Sequence, residues 1–524
     1  MRVTQSGATV SEGLSAADLF WWRVDSPTNP MVVNILFGAE DVLTLAEVRD
    51  ALRGPVADSL RFHAVPTPHP VGRWRPYLAL GLCLGLAGGG LLGWWAAAVT
   101  VGGLLGVVLE VACGTPWRWQ PVADFSVEDY LRLHTLEEAT EEGLHRFVDD
   151  SLSQPLDRSR ALWQAILIHN VPGGGSGLLF RVHHVIGDGA GLRSWFDAVC
   201  LPAKECDANA VNNETPKPRP ARVPGRSLQE AMAGWLLCLL LAAHSVWKLL
   251  TVPRDSNSPL KGPLTGRKVT ARPSPALSVL VSDLQAVGKS HHCSVTLNDT
   301  LVAWLAGAFR RFFLAGGLHP DQMLLRVMMP VNLRRPSATP AVENRFGLVL
   351  KSLPVHLPTA RQRLATVRAR MQLLKLGIEA PLGMLLMTGL ALLPERVMRA
   401  VVGHFVRCTT AVLTNVVGPA VPYRLAGHAL QWCTFWVPSA GDMGVGISLY
   451  SYCGTMGIGL MVDTGLLSDP QPLVEALREE WREMAALRAA AAEDGGDAPP
   501  GLPSEHLWAL FQPTVAGGLP ASSR

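Results

Sequence analysis

The stretch LLFRVHHVIGDGAGLRSWFDAV, residues 178–199, decides how the rest of the chain is read. LLFRVHH reads as a strand and AGLRSWFDAV is compatible with a helix, so HHVIGDG (residues 183–189) lies where a strand gives way to a helix. Upstream, ALWQAILIHN (residues 161–170) reads as a partner strand, with PGGGSG between the two as a hairpin turn. That glycine-rich connector is not a phosphate cradle, because it lacks the lysine of GxxxxGK[ST] and no helix follows it.

Towards the N-terminus, LSAADLFWWRVD reads as a helix and PMVVNILFGA as a strand. Between this start and WRWQPVADFSVEDYLRLH the character changes. From Tyr77 to Leu109 there is no charged residue, and the run is flanked by Arg73 and Arg75 before it and Glu110 and Arg118 after it. A single helix of that length would extend about 50 Å, well beyond a hydrocarbon core of about 30 Å, whereas two crossings need about 40 residues. Gly88, Gly89 and Gly90 offer a turn, leaving a re-entrant hairpin and a long tilted helix as competing readings. Towards the C-terminus, Pro202 to Arg226 reads as an exposed linker, and Trp235 to Val246 as an interfacial apolar helix too short to cross. Beyond Pro273 the expected elements are a strand ALSVLVSDL, a helix NDTLVAWLAGAFRRFFLAGG, a strand LLRVMMPVNL and an apolar helical region from Ala380 to Val406. Strands near AVLTNVVG, GVGISLYSY and MGIGLMVD follow, then a charged amphipathic helix, LVEALREEWREMAALRAAAA, and a loose tail.

Composition limits the partners. A chain of 524 residues exceeds what one core usually supports, so two domains or two halves sharing an interface are expected. A net charge of +3 without any basic block argues against nucleic acid. The charged fraction of 17% is low, which suits a protein with membrane-seeking segments. The nine cysteines form no CxxC pair and suggest neither a disulfide framework nor a zinc ribbon. The polar start lacks a signal-peptide pattern and is expected to remain in the cytosol.

The chemistry concentrates in HHVIGDG. Successive strand side chains point to opposite faces, so His183 and His184 cannot both face one pocket unless the strand ends between them; one is chemical and the other supports. An unperturbed histidine is largely neutral at pH 7 and can take a proton from a hydroxyl. Asp188 could accept the ring N–H and set the tautomer, or turn away to pair with an arginine, while Gly189 permits a tight turn into the helix. No further ligand pattern supports a metal at His183, His184 and Asp188, and His291, His292 and Cys293 read as solvated.

These residues resemble the HHxxxDG motif of the coenzyme A-dependent acyltransferase superfamily, and in particular the wax ester synthase/diacylglycerol acyltransferase family. The similarity continues in order through LSAADLFWW with Asn29–Met31, PLDRSRALW (155–163), TLNDTLVA (296–303), PVNLR (330–334), ENRFG (343–347), TNVVGP (414–419) and SLYSYCG (448–454). It covers most of the chain except the insert, residues 202–273 and the tail. Two positions depart from the pattern, with Ala161 where proline is expected and Glu343 where glycine is usual.

The resemblance implies an α/β fold of two chloramphenicol-acetyltransferase-like half-domains around a central tunnel, with an inserted membrane hairpin. Residues 1–73 and 113–201 would form the first half, 74–112 the insert, 202–273 a linker with the interfacial helix, 274–493 the second half and 494–524 the tail. Because both flanks of the insert belong to one half, it must cross an even number of times or not at all. The implied reaction joins a fatty acyl group from acyl-coenzyme A, a co-substrate, to a long-chain alcohol or diacylglycerol. His184 would be the base, with His183 and Asp188 in support and no acyl-enzyme or metal. Gly189, Trp163, Asn298, Asp299, Arg334 and Asn344 are marked as substrate-binding or structural, Arg334 as a partner for Asp188, and Asn298 and Asp299 equally as helix-capping residues. No cofactor is expected. The enzyme would be membrane-associated, with its catalytic halves towards the cytosol, on the endoplasmic reticulum or a lipid droplet in a eukaryote. A condensation-type acylation of another hydroxyl or amine, and a non-catalytic lipid-binding role, are the alternatives.

Overall fold

The expected hairpin falls in the first of two mixed sheets, and its second strand is buried along its whole length. The computed structural model describes residues 12–68, 117–202, 251–271, 279–289, 295–334, 341–376 and 379–493. The N-terminal part supplies strands β1 (Val32–Ala39), β2 (Ala64–Pro68), β3 (Trp117–Pro121), β4 (Leu131–Thr135), β5 (Trp163–His169), β6 (Ser176–His183) and β7 (Leu201–Pro202). Its helices are α1 (Ala16–Val24), α2 (Leu45–Asp58), α3 (Glu141–Leu152) and α4 (Gly189–Val199). Next come β8 (Lys268–Thr270), β9 (Val279–Leu280), β10 (Leu325–Asn332), β11 (Phe346–Leu353), β12 (Ala411–Val417), β13 (Tyr423–Leu425), β14 (His428–Trp436), β15 (Val445–Tyr452) and β16 (Thr455–Asp463). The later helices are α5 (Val281–Lys289), α6 (Leu297–Ala315), α7 (Ala360–Leu376), α8 (Glu379–Ala391), α9 (Glu395–Arg407) and α10 (Gln471–Glu493).

The first sheet runs β4-β5-β6-β1-β14-β13-β7, and the second runs β11-β10-β12-β15-β16-β8, with β9 also on β16. The two sheets therefore do not coincide with the two stretches of chain. Strand β14, which lies within 274–493, pairs antiparallel with β1 from Asn34↔Trp436 to Ala39↔Leu430. Its Leu430, Cys433 and Phe435 join the first hydrophobic core, where Phe180, Trp163 and Trp195 are buried. Burying one more strand there also satisfies the hydrogen-bonding groups on the free edge of β1.

Two further expectations are corrected. Within the run read as one strand, ALSVLVSDL, the described residues pair at β9 and become α5 from Val281. Residues 251–271, read as part of the 202–273 linker with its interfacial helix, are docked by partnered charges. Asp255 pairs with Arg326 at 2.7 Å, Lys268 with Asp463 at 3.0 Å, and Lys261 Nζ donates to the carbonyls of Arg407 and Thr409 at 2.8 Å, past the C-terminal end of α9. Polar composition misleads here because each of these charges has a partner.

The apolar insert, the second apolar stretch, His291 to Cys293 and the tail lie outside the described residues. Among the described residues no helix is long and apolar enough to cross a membrane. The flanks of the insert are held by the ladder of β2 and β3, in which Pro68 faces Trp117. The chain therefore leaves and re-enters the fold side by side.

A pH-dependent contact joins α3 to the second sheet. Asp149 Oδ1 accepts from the Thr270 N–H at 2.9 Å and from its hydroxyl at 2.6 Å. Burial pushes the Asp149 carboxyl up to about 6 despite these donors. The folded state then holds a proton that the unfolded chain releases near pH 4, so this contribution to stability is present at about pH 4 and lost as pH rises through 6. Asp149→Asn keeps the carbonyl acceptor without the charge, and is expected to stabilise the protein at pH 8 by roughly 1 kcal/mol with little change at pH 4. Thermal unfolding at the two pH values reads this directly.

Candidate active site

Strand β6 ends at His183, and the backbone then turns, with the His184 N–H donating to the Met31 carbonyl at 2.7 Å. The two rings accordingly face different surroundings. His183 Nδ1 accepts the Val185 N–H at 3.0 Å, so its proton resides on Nε2, which faces the Asp25 carboxylate at 3.6 Å. Burial opposes the charge of Asp25, but His183, the Met31 N–H and Arg158 outweigh it and hold the carboxyl below its ordinary range. With both nitrogens so directed, His183 is a supporting residue.

His184 is only 8% exposed. Its ring stacks on Trp21 at 4.4 Å between centroids, and Phe346 is 5.8 Å away. Nδ1 lies 3.0 Å from Asn344 Oδ1. The Asn344 amide nitrogen donates to the His184 carbonyl and to Asp18 Oδ1, both at 2.8 Å. These two acceptors fix the orientation of the amide: Oδ1 must face the ring, and Nδ1 must carry the hydrogen. Nε2 is left with its lone pair and no protein partner among the described residues. Burial lowers the pKa of His184, against the opposing charge of Asp188, so the ring is held as the neutral base.

Asp188 does not touch this ring through any hydrogen bond among the described residues. Of the two roles open to it, it takes the bracing one. As N-cap of α4 its Oδ1 accepts the Gly191 N–H at 3.0 Å. Its Oδ2 accepts from Arg334 at 2.6 Å and from the Arg345 N–H at 3.0 Å. The turn is thereby tied to Arg334 and Arg345 of the second half. Close approach requires the glycines: a Cβ on Gly191 would lie 3.0 Å from the Ala341 carbonyl oxygen, and one on Gly189 would lie 2.8 Å from Val416.

The remaining expected residues divide. Trp163 is in the first core, donating to the Phe62 carbonyl at 2.7 Å and stacked on Tyr130. Asp299 closes a capping box with Thr296 at the start of α6, and Asn298 accepts from Asn415 at 2.5 Å. Among the described residues neither hydrogen-bonds to His184, whereas Asn344 and Arg334 are built into the turn around it. The two departures from the family pattern also find their places. Ala161 offers an N–H to the Tyr130 hydroxyl at 3.1 Å, which proline could not. Glu343 serves through its backbone carbonyl, 2.6 Å from Arg334 and 3.2 Å from the Asp188 N–H. Trp21 and Asp18 were not singled out by sequence reasoning, although both lie in LSAADLFWW.

A buried neutral imidazole with one nitrogen anchored and the other free can take a proton from a hydroxyl held near it. Comparisons with known proteins bear on the family of the chain. Residues 107–301 match the wax ester synthase/diacylglycerol acyltransferase catalytic domain, and residues 342–485 match the C-terminal domain of the same group. A probable diacylglycerol O-acyltransferase of Mycobacterium tuberculosis is 24% identical over 388 residues, covering 71% of this chain and 82% of its own. Among solved structures, the wax ester synthase/diacylglycerol acyltransferase from Marinobacter aquaeolei VT8 aligns with a TM-score of 0.57 at 18% identity, over 91% of this chain and 100% of its own. The first condensation domain of the calcium-dependent antibiotic synthetase, in complex with a substrate analogue, aligns at 0.54 and 15% identity, over 92% of this chain and 97% of its own. At these identities the structural likeness bears on the fold.

Proposed function

The chain belongs to the wax ester synthase/diacylglycerol acyltransferase family, and from that premise we propose that His184 is the general base with which it transfers a fatty acyl group from acyl-coenzyme A to a lipid alcohol. The observation that carries the reading is the Nδ1 contact to Asn344, which leaves Nε2 of a buried, neutral ring as the proton acceptor. Nε2 takes the hydroxyl proton as the alcohol oxygen attacks the thioester carbonyl. The tetrahedral intermediate collapses with loss of the coenzyme A thiolate, which receives the proton back from Nε2. The C–S bond breaks, the C–O bond forms, and no acyl-enzyme is required. A long-chain alcohol yields a wax ester and diacylglycerol yields triacylglycerol, the two substrates meeting at His184 from opposite ends of a tunnel between the halves.

The charge-free insert is assigned to the membrane, with the catalytic halves on the cytosolic side. Paired flanks at Pro68 and Trp117 suit a segment that returns to the side it left. Lipid alcohols partition into bilayers at about 0.8 kcal/mol per buried methylene, so an anchored enzyme meets them where they are.

The test is an assay of membranes from a host lacking neutral-lipid synthesis, supplied with labelled acyl-coenzyme A and with fatty alcohol or diacylglycerol in parallel. Ester with either acceptor supports the reading. Binding of acyl-coenzyme A without ester from any alcohol overturns it in favour of a lipid-binding role. The pH profile adds a second expected outcome. Burial lowers the His184 pKa, so kcat/KM should hold constant as pH falls from 8 to about 6.5 and decline only below that.

A further inference from the structure

Asp18 lies in the first turn of α1 and is fully buried. Its carboxylate does more than cap the helix. Oδ1 accepts from Asn344 Nδ2 at 2.8 Å, and Oδ2 is 3.0 Å from Arg61 Nη2, while the capping contact from the Ser15 N–H is the longest of the three at 3.4 Å. Arg61 in turn donates from Nη1 to the carbonyl of Ile186, inside the HHVIGDG turn, at 3.0 Å. Its guanidinium carbon lies 5.5 Å from the centre of the Trp119 ring. An ordered path therefore runs from Arg61 through Asp18 and Asn344 to His184 Nδ1.

The direction of each hydrogen follows from charge. Arg61 can only donate and Asp18, paired with it, can only accept, so the Asn344 nitrogen must point to Asp18 and its oxygen to the imidazole. An amide alone could flip and offer N–H to Nδ1, which would move the ring proton to Nε2 and occupy the base. We propose that Asp18 is a positioning residue for the acyl transfer, holding the amide of Asn344, and through it the Nδ1–H form of His184, from two hydrogen bonds away. The proposal rests on the reading of His184 as the base. The other charged or titratable groups around that ring are Asp188, engaged by Arg334, and His183, which faces Asp25.

Asp18→Asn preserves shape but lets the amide turn its oxygen to Arg61 and its nitrogen to Asn344, setting donor against donor. Full-length protein carrying it is expected to lose about 100-fold in kcat with KM for acyl-coenzyme A within about two-fold, since Asp18 is placed to orient the base and not to bind substrate. The exchange Asp18→Asn with Asn344→Asp again sets a donor against an acceptor between these two residues, while the new carboxylate can no longer donate to the His184 carbonyl. It should recover only part of that loss, about three-fold or more, and its acid limb should move up by roughly one pH unit, because a carboxylate now accepts the Nδ1–H. Should Asp18→Asn alone fail to fold, the exchange variant carries the test through its pH profile. Asp18→Asn with wild-type kcat and pH profile, or a folded exchange variant whose acid limb stays at the wild-type position, overturns the positioning role. His184→Ala measured alongside separates the two readings: if that variant keeps its activity, the base assignment fails, and Asp18 falls with it.

Discussion

His184→Ala is expected to reduce the rate of ester formation by about 1,000-fold, within the roughly 100- to 10,000-fold that a positioned base contributes. The alanine leaves no group at the place where Nε2 now has its lone pair. His183 cannot take over, because its Nδ1 is occupied by the Val185 N–H and its Nε2 faces Asp25. Loss should appear in kcat and kcat/KM alike, with acyl-coenzyme A still bound, since a proton in flight is a feature of the transition state. Full activity in the folded variant would remove His184 from the mechanism. Removing the ring also empties the space against Trp21, so thermal unfolding should accompany the assay to show that the variant is folded.

The second large effect is structural. Asp188→Ala is expected to destabilise the protein by about 3–5 kcal/mol, the usual consequence of removing one partner of a buried ion pair. The aspartate serves Arg334, the Gly191 N–H and the Arg345 N–H at once, and its pair with Arg334 is over nine-tenths buried on both sides. Alanine would leave the guanidinium in place without its counter-charge. A lowered unfolding midpoint, partly recovered when Arg334→Met is added, is the expected pattern. If Asp188→Ala unfolds at the wild-type temperature but loses activity, the aspartate acts on the chemistry and the bracing role fails.

Much of this was legible in the sequence because it is local. The β5–β6 hairpin, the turn at HHVIGDG and helix α4 follow from apolar strand runs, a glycine-rich connector and Gly189, which permits the turn, all within about forty residues. The need for one histidine to support the other follows from strand geometry alone. What could not be read is whatever depends on distant pairing. Nothing in HALQWCTFW tells that β14 completes the sheet of β1. Nothing in ENRFG alone tells that Asn344 points its oxygen at a histidine 160 residues away. The residues by themselves left Asp188 open to the ring or to an arginine, the family resemblance pointed to Arg334, and the contact between the two lies across 146 residues of chain. The short apolar run ending in VSDL failed for another reason, since two paired residues followed by a helix carry the same apolar letters as a longer strand.

The place of β14 in the first sheet has a consequence for biosynthesis. On a ribosome, β1 emerges early and can pair with β6 once residue 183 has been made, but its other edge waits for β14, about 390 residues after β1 ends. At the usual rate of roughly 5–20 residues per second that is a wait of about 20–80 s with an unpaired edge exposed. The nascent chain therefore spends most of its synthesis as a potential template for aggregation, and its yield should depend on chaperone supply and on the pace of translation across the second half.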